Sequence, residues 1–306
     1  MPHPPRRLLA FILLVATSAP LLPAQTDLPA VAAHHLADDE RVAGAMFAES
    51  GGDVEKLLGL VKARADLKPN VRYIADALVI ARRLHRLGQE HARPELSAAA
   101  ADLADLAVRT YQNPDGTFNE YDRCTWLKPD QLSRTIPWGT AFHGQAMLRT
   151  LRDLGPALGD TRRADWRARL RLTGAWIDGN KVLDTVVFNA AIDLCGLLWK
   201  IGDELGDPTL QKSALASAHR LLDRHLDVAQ GWIRGENSGV SGFYQQVGME
   251  FIGDFARASG DVRLRAALLR FMDTAGIFAT TTWQFPGNFG TRTPSLGPAL
   301  GDTRRA

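Results

Sequence analysis

The sequence predicts an all-α protein built of antiparallel helical hairpins. Apolar residues recur at helical spacing along most of the chain, and strand-like composition is confined to residues 278–285. Short glycine- and proline-containing links, such as residues 205–208 and 259–261, separate consecutive helical segments. Because helices joined by so few residues must reverse direction, these links favour hairpins over long isolated helices.

The apolar pattern predicts helices in the following order along the chain: residues 29–48, 52–65, 69–89, 94–111, 139–153, 161–177, 184–203, 208–227, 243–259 and 261–278. Pro69, Pro94 and Pro208 stand near predicted helix starts, where a missing N–H is tolerated. Between these helices, residues 112–139 and 229–242 form the longest connections. Long connections in a helical domain are usually functional or disordered, and the Trp, Arg, Glu and Gly content of both favours function.

The helix at residues 184–203 is apolar on nearly all sides, which is typical of an inner helix. Asn189, Asp193 and Lys200 are its polar members, and their spacing places them on one face. We therefore expect this polar face to meet water or a cavity. Cys195 lies on an apolar face and is expected to be a core residue.

Residues 1–24 resemble a secretory signal peptide. Arg6 and Arg7 precede an apolar run at residues 8–15 that is too short to cross a bilayer, and Ala24 ends a plausible cleavage site. We therefore expect a periplasmic or secreted protein, with one domain at residues 25–295 and no membrane association after cleavage.

Composition narrows the function classes. Of the 36 Lys and Arg residues two lie in the signal segment, so residues 25–306 carry 34 basic and 34 acidic side chains. This balance argues against a large basic field, and we expect no nucleic-acid partner. The chain has two cysteines and eight scattered histidines, without zinc-ligand spacing. We expect neither a metal centre nor a cofactor.

The last eleven residues, 296–306, repeat residues 154–164 without change. The flanking residues do not match, whereas a structural repeat would show diffuse similarity over a full period. We expect either an assembly artefact that replaces the true C-terminus or a short local duplication. Function is therefore not inferred from residues 296–306.

Candidate functional residues lie in the two long connections and at helix starts. Tyr244 begins a helix after a glycine-rich loop, Asn189 interrupts an apolar helix, and His143 follows the other long connection. These are the candidate catalytic residues. The alternatives are structural: Asn189 could hydrogen-bond a neighbouring loop, Tyr244 could pack its ring with its hydroxyl in water, and His143 could be a buried, hydrogen-bonded core residue. Arginines can bind carboxylates bidentately, and tryptophans can stack on sugar rings. The candidate substrate-binding residues are arginines, tryptophans and two polar residues beside them in the chain: Arg123, Trp126, Trp138, Trp232, Arg234, Glu236, Asn237 and Arg292.

Residues 187–207, which contain Asn189, and residues 231–247, which contain Glu236 and Tyr244, resemble the catalytic half of the (α/α)-toroid polysaccharide lyases. The likeness is to the heparinase and alginate lyase group and extends over about residues 68–295. It implies an incomplete (α/α) toroid and an anionic, uronate-containing polysaccharide substrate that is cleaved by β-elimination.

The resemblance also implies residue roles. Asn189 corresponds to the residue that neutralises the uronate carboxylate, and Tyr244 to the acid or base at the scissile linkage. Many relatives place a His after the Asn, where this chain has Ala190; His143 is the candidate substitute. Hydrogen bonds to the carboxylate would stabilise the enolate that forms when the C5 proton is removed. A phenol with a pKa of about 10 can protonate the leaving oxygen, and it can act as a base only if its pKa is lowered.

Two other functions fit the same residues. A glycoside hydrolase would use a carboxylate pair, here Glu120 and Glu236, about 5–10 Å apart. A non-catalytic glycan-binding domain would keep the tryptophans and lack a cluster of Tyr, Asn and His. Convergence of Asn189, Tyr244 and His143 on one cleft would favour the lyase.

Overall fold

The computed structural model describes residues 40–179, 182–227, 231–233 and 242–278. This part of the chain is mostly helical, which confirms the predicted all-α class. Part of the predicted helix at residues 29–48 and nearly all of the predicted strand at residues 278–285 lie outside the described residues. The helices are α1 (residues 40–50), α2 (Val54–Ala65), α3 (Tyr73–Glu90), α4 (Pro94–Tyr111), α5 (Ile136–Leu154), α6 (Gly159–Gly179), α7 (Val182–Thr185), α8 (Phe188–Leu205), α9 (Pro208–His225), α10 (Gly242–Ser259) and α11 (Val262–Phe278).

Short elements connect these helices. Strand β1 (Asn70–Val71) pairs antiparallel with β2 (Arg123–Cys124), and β3 (Leu226–Asp227) pairs antiparallel with β4 (Trp232–Ile233). Two 3₁₀ segments, Pro129–Thr135 and Gly155–Leu158, flank α5. The β1–β2 pair ties the long connection between α4 and α5 to the chain just before α3.

The α8–α9 link shows how local chemistry sets a hairpin. Gly206 ends α8 with φ of 68°, a left-handed conformation that glycine adopts without a Cβ penalty. Asp207 then accepts hydrogen bonds from the amides of Thr209 and Leu210 and caps α9, and Pro208 occupies its first position. Two residues therefore suffice to reverse the chain, as the sequence predicted.

Helices α3, α5, α8 and α10 lie side by side in that order. Contacts between α5 and α8 advance in the same direction along both helices. Gln145 donates to Asp193 at 3.1 Å, and Arg152, two turns later, pairs with Asp203 at 3.0 Å. Contacts that advance together mean that the two helices run parallel.

The same test applies to the neighbouring pairs. The segment entering α3 meets α5 where Arg72 lies over the ring of Phe142, and further along Arg82 pairs with Asp153. Helices α8 and α10 approach each other at two glycines. A Cβ atom added to Gly248 would lie 3.8 Å from Phe188, and one added to Gly196 would lie 3.5 Å from Phe255. All four helices therefore point the same way.

Helices α4, α6, α9 and α11 return the chain after each of these and pack against the helix that precedes them. The core lies between the two sets and includes the fully buried side chains of Trp166, Phe188, Phe255 and Phe271. Burial of each large side chain contributes about 1.5–3 kcal/mol. In α8, both Cys195 and its apolar neighbours are buried, which confirms the predicted inner position.

Within the described ranges, none of the helices combines the length and the apolar character that a membrane span requires. Cys124 and Cys195 are both buried and are not bonded to each other.

Candidate functional site

The parallel direction of α3, α5, α8 and α10 brings their N-terminal turns to one end of the molecule. We call this end the mouth and define it by Arg72, Trp138, Asn189 and the first turn of α10. The connection at residues 112–135 lies against the mouth, because β2 pairs with β1 immediately before α3.

The connection is seated directly on the first turn of α5. A Cβ atom at Gly139 would lie 2.3 Å from the amide nitrogen of Glu120 and 2.4 Å from the carbonyl oxygen of Phe118. Only glycine therefore permits this approach of two backbone segments. The hydroxyl of Thr140 accepts a hydrogen bond from the Phe118 amide at 3.1 Å, and that of Thr135 from the Glu120 amide at 3.4 Å.

Arg72 and Glu120 form a partly buried ion pair at the mouth. Nη2 of Arg72 donates to the Glu120 carboxylate at 2.5 Å and to the Tyr121 hydroxyl at 2.9 Å. The guanidinium also lies 4.7 Å from the centre of the Tyr121 ring and 5.5 Å from that of Phe142. Cation–π contacts of this kind contribute about 0.5–2 kcal/mol each.

Burial perturbs the acids beside this pair. Desolvation raises the pKa of Glu120 above its usual value, and the pairing with Arg72 opposes that rise. Burial, followed by the hydrogen bond to Glu120, raises the pKa of Tyr121 to about 12. Tyr121 is therefore a neutral phenol at neutral pH, and Glu120 holds a proton more tightly than an exposed glutamate does.

His143 is a buried neutral imidazole. Its exposed fraction is 1%, and burial lowers its pKa to about 4. Nε2 lies 3.2 Å from the carbonyl oxygen of Glu120 and must carry the proton, because that oxygen can only accept. Nδ1 is then an acceptor, and it is buried without a partner among the described atoms. His143 thus fixes the Glu120 backbone, and its Nδ1 lone pair meets no donor from the described residues.

Asn189 is the second residue of α8 and is 3% exposed. Its side-chain oxygen accepts from the Ala190 amide at 3.2 Å. Its Nδ2 is buried and has no hydrogen-bond partner among the described atoms. An unsatisfied buried amide costs about 1–3 kcal/mol, so such a donor needs an explanation.

Tyr244 lies in the first turn of α10, but its side chain is outside the described part of the chain. The position of its turn follows from Gly248, one turn later, where an added Cβ would be 3.8 Å from the Phe188 ring. Since α8 and α10 are parallel, the first turn of α10 lies at the mouth beside the start of α8. Gln145 on α5 and Asp193 on α8 lie further along their helices, away from the mouth.

The first turn of α10 is fixed to β4. Gln245 is 3% exposed, and its amide accepts from the nitrogen of Ile233 at 3.0 Å and donates to the carbonyl oxygen of Ile233 at 2.5 Å. The adjacent Trp232 is 8% exposed. Trp232 therefore packs into the protein in this structure, although the sequence suggested it as a sugar-stacking residue.

The remaining predicted residues are dispersed. Arg123 is exposed and pairs with Asp66 at 3.1 Å. Trp126 is 62% exposed and lies edge-on to Tyr121, with ring centres 5.6 Å apart. Trp138 stacks on Phe142 at 5.5 Å. Outside the described residues lie Arg234, Glu236, Asn237 and Arg292.

Sequence reasoning did not find Arg72, Tyr121 or Phe142 as members of the mouth. Arg72 immediately precedes α3, and Asn189 is the second residue of α8, so both lie near a helix start. A search for polar residues at the start of every predicted inner helix would have found it.

A second concave feature lies along the four parallel helices. It is an open groove of about 1080 Å³, and Phe142 links it to the mouth. Asp193 and Lys200, two of the three polar residues predicted to share a face of α8, both line it. The predicted cavity-facing polar stripe is therefore confirmed for these two residues.

No protein-family model matches the chain, and neither the curated proteins nor the solved structures yield a significant match. Within the part of the chain that the structure describes, no three His, Cys, Asp or Glu side chains are grouped to hold a metal ion.

Proposed function

We propose that this chain is the helical part of an exported polysaccharide lyase, folded as an incomplete (α/α) toroid. The arrangement of α3, α5, α8 and α10 supports the toroid: adjacent helices run parallel, and each is followed by a helix that returns outside it. Consecutive hairpins set side by side in this way are the arrangement expected of successive segments of a ring.

The unpartnered amide of Asn189 is the observation that carries the proposal. Nδ2 is a buried donor at the mouth, and the described atoms give it no acceptor. A uronate carboxylate would supply one, and hydrogen bonds to charged groups contribute about 1.5–3 kcal/mol. Such a bond strengthens as charge develops on the carboxylate, which is the requirement for removing the neighbouring C5 proton.

The elimination itself needs few groups. A base takes the C5 proton, the electron pair forms the C4–C5 double bond, the C4–O bond breaks, and the leaving oxygen accepts a proton. We assign proton transfer to Tyr244, whose helix turn lies beside the start of α8. His143 is neutral near pH 7, with a lowered pKa of about 4, and we assign it to orienting the Glu120 backbone beside the mouth.

A glycoside hydrolase is the second candidate, and Glu120 favours it. The pKa of Glu120 is raised by burial, as expected of a general acid. Its firm pairing with Arg72 argues against this role, because an acid that donates its proton must be free to reach the glycosidic oxygen. The proposed partner carboxylate, Glu236, lies outside the described residues.

The test is the ultraviolet absorbance of the C4–C5 double bond. Purified protein would be incubated with alginate, heparan sulfate, hyaluronan and pectate. One substrate should give rising absorbance, and Tyr244→Phe should slow it by about 10²–10⁴-fold. Asn189→Ala should slow it by about 10²–10³-fold. Tyr111→Phe removes a phenol hydroxyl from the last residue of α4, whose ring packs against Tyr73, and it should leave the rate unchanged.

The products separate the candidates. New reducing ends without absorbance would support the hydrolase and exclude elimination. Binding of a polymer without either product would support a non-catalytic glycan-binding domain. A rate that survives in Tyr244→Phe would contradict the role assigned to that residue.

A further inference from the structure

The groove along α3, α5, α8 and α10 is large enough to hold a ligand of its own. Its volume of about 1080 Å³ lies at the upper end of the range for small-molecule sites. Its wall extends from Phe142, near the mouth, to residues in the last turns of α5 and α10, such as Arg152 and Arg257. The groove therefore continues well beyond the residues that we assign to elimination.

A chain of polar side chains crosses the floor of the groove and joins three helices. Gln145 on α5 donates to the Asp193 carboxylate at 3.1 Å and accepts from the ammonium of Lys200 at 3.0 Å. Lys200 also pairs with Asp254 on α10. Asp193 is 6% exposed, and only one of its two oxygens has a hydrogen-bond partner among the described residues. Its second oxygen is therefore a preformed hydrogen-bonding group at the groove wall.

Two charged side chains on the groove have no protein partner in the part of the chain that the structure describes. Arg149 on α5 and Glu250 on α10 are exposed and line the groove, and neither has an ion pair or hydrogen bond within the described residues. By contrast, Arg82 pairs with Asp153 and Arg152 with Asp203. The groove thus offers one free donor group and one free acceptor group on facing helices.

Aromatic surface completes the groove. Phe142 and Phe251 lie with ring centres 6.3 Å apart, and Trp199 lines the same wall. All three are partly exposed. Aromatic faces beside planar polar groups suit a ligand that has both hydroxyls and apolar C–H faces, because each kind of surface then meets its complement.

We propose that the groove is a second binding site, separate from the mouth, for a short oligosaccharide segment. Arg149 donates to its oxygens, and Glu250 accepts from its hydroxyls. The second oxygen of Asp193 forms a further hydrogen bond to a hydroxyl, and Phe251 and Trp199 cover the C–H faces. Because the groove lies beside the mouth, it suits the non-reacting part of a polymer that is held at the mouth. This link to the polymer rests on the proposed lyase function, whereas the binding site itself does not.

Isothermal titration calorimetry on the full chain tests the site. The probes are tetrasaccharides of alginate, heparosan and cellulose, and the protein carries Tyr244→Phe so that the probes are not cleaved. Arg149→Ala and Glu250→Gln, in this background, should each weaken binding of the preferred probe about tenfold. Arg171→Ala is the matched control, since Arg171 is an exposed arginine on α6, and it should have no effect.

Asn189→Ala separates the groove from the mouth. Groove binding should persist in that variant and remain sensitive to Arg149→Ala. The proposal is overturned if none of the three probes binds, or if Asn189→Ala abolishes binding while Arg149→Ala leaves it unchanged. It is also overturned if the groove variants change the oligomeric state in analytical ultracentrifugation without changing affinity. Arg149-sensitive binding in this background, together with no elimination by the chain that retains Tyr244, would refute the lyase and leave the groove site standing.

Discussion

Gly139 gives a sharp test of how the long connection is seated on α5. Gly139→Ala adds one methyl group, and its carbon would lie 2.3 Å from the Glu120 nitrogen and 2.4 Å from two further backbone atoms. Backbone cannot rotate away as a side chain can, so the connection or the helix must shift. Overpacking of this kind costs about 1–3 kcal/mol or more, whereas alanine gains about 1 kcal/mol over glycine in a helix. We expect a net loss of about 2 kcal/mol.

Two other glycine substitutions are matched controls. A Cβ at Gly144, also in α5, would lie 2.5 Å from a terminal carbon of Leu197, which is the flexible end of a side chain. Gly144→Ala should therefore change the stability by no more than about 1 kcal/mol in either direction. At Gly59 in α2 nothing lies within 4 Å, so Gly59→Ala should stabilise by up to about 1 kcal/mol.

Urea unfolding followed by circular dichroism measures all three variants. With a denaturant slope of about 2 kcal/mol per molar, a loss of 2 kcal/mol lowers the midpoint by about 1 M. The expected order of midpoints is Gly59→Ala highest, then wild type and Gly144→Ala, then Gly139→Ala. If Gly139→Ala proved as stable as Gly144→Ala, the connection would not rest on α5 as described, and the placement of Glu120 would fall with it.

Three further predictions concern buried charge. Burial lowers the pKa of His143 to about 4, so the free energy of unfolding should fall by roughly 3 kcal/mol as pH drops from 6.5 towards 4. His143→Gln should remove this pH-dependent loss. Urea midpoints measured across the same pH range test it. Burial raises the pKa of Asp193 to about 7, so the protonated carboxyl stabilises the fold fully below pH 4, and this stabilisation is lost as pH rises through 7. The free energy of unfolding of Asp193→Asn should therefore increase relative to that of the wild type between pH 5 and pH 8. An equal difference between the two proteins at pH 5 and pH 8 would contradict this. Arg72→Met leaves the Glu120 carboxylate unpaired and should lower the free energy of unfolding by about 2 kcal/mol in thermal or urea unfolding. Adding Glu120→Gln should restore most of that loss. If the losses of the two single variants simply added, the ion pair would not stabilise the protein.

The helical architecture could be predicted because each hairpin is specified locally. Apolar spacing, Gly206 and the Asp207 cap define α8 and α9 within a few residues. The start of α8 was predicted too early, at residue 184. The structure has the separate short helix α7 and then an extended Val187 before α8 begins at Phe188. The β-branched run from Thr185 to Val187 explains the break, because such side chains fit a helix less well.

The mouth could be predicted only in part. Asn189 was recognised because a polar residue in an apolar helix is visible in a short window of sequence. The pairing of Arg72 with Glu120 spans 48 residues and depends on how residues 112–135 fold over Gly139. Nothing in the local pattern of either residue specifies the other. His143 was chosen as the best histidine, and its hydrogen bond to the Glu120 carbonyl arises from the same long-range packing.

The common direction of α3, α5, α8 and α10 has an electrostatic consequence. Peptide dipoles align along each helix and leave roughly half a positive elementary charge at its N-terminal end. These four helices therefore gather about two positive charges at the mouth, while the returning helices bring their negative ends to the same end of the molecule in a separate layer. Residues 25–306 carry 34 acidic and 34 basic side chains, so net charge alone gives no attraction for an anion. The backbone itself makes the mouth the electropositive end of these four helices.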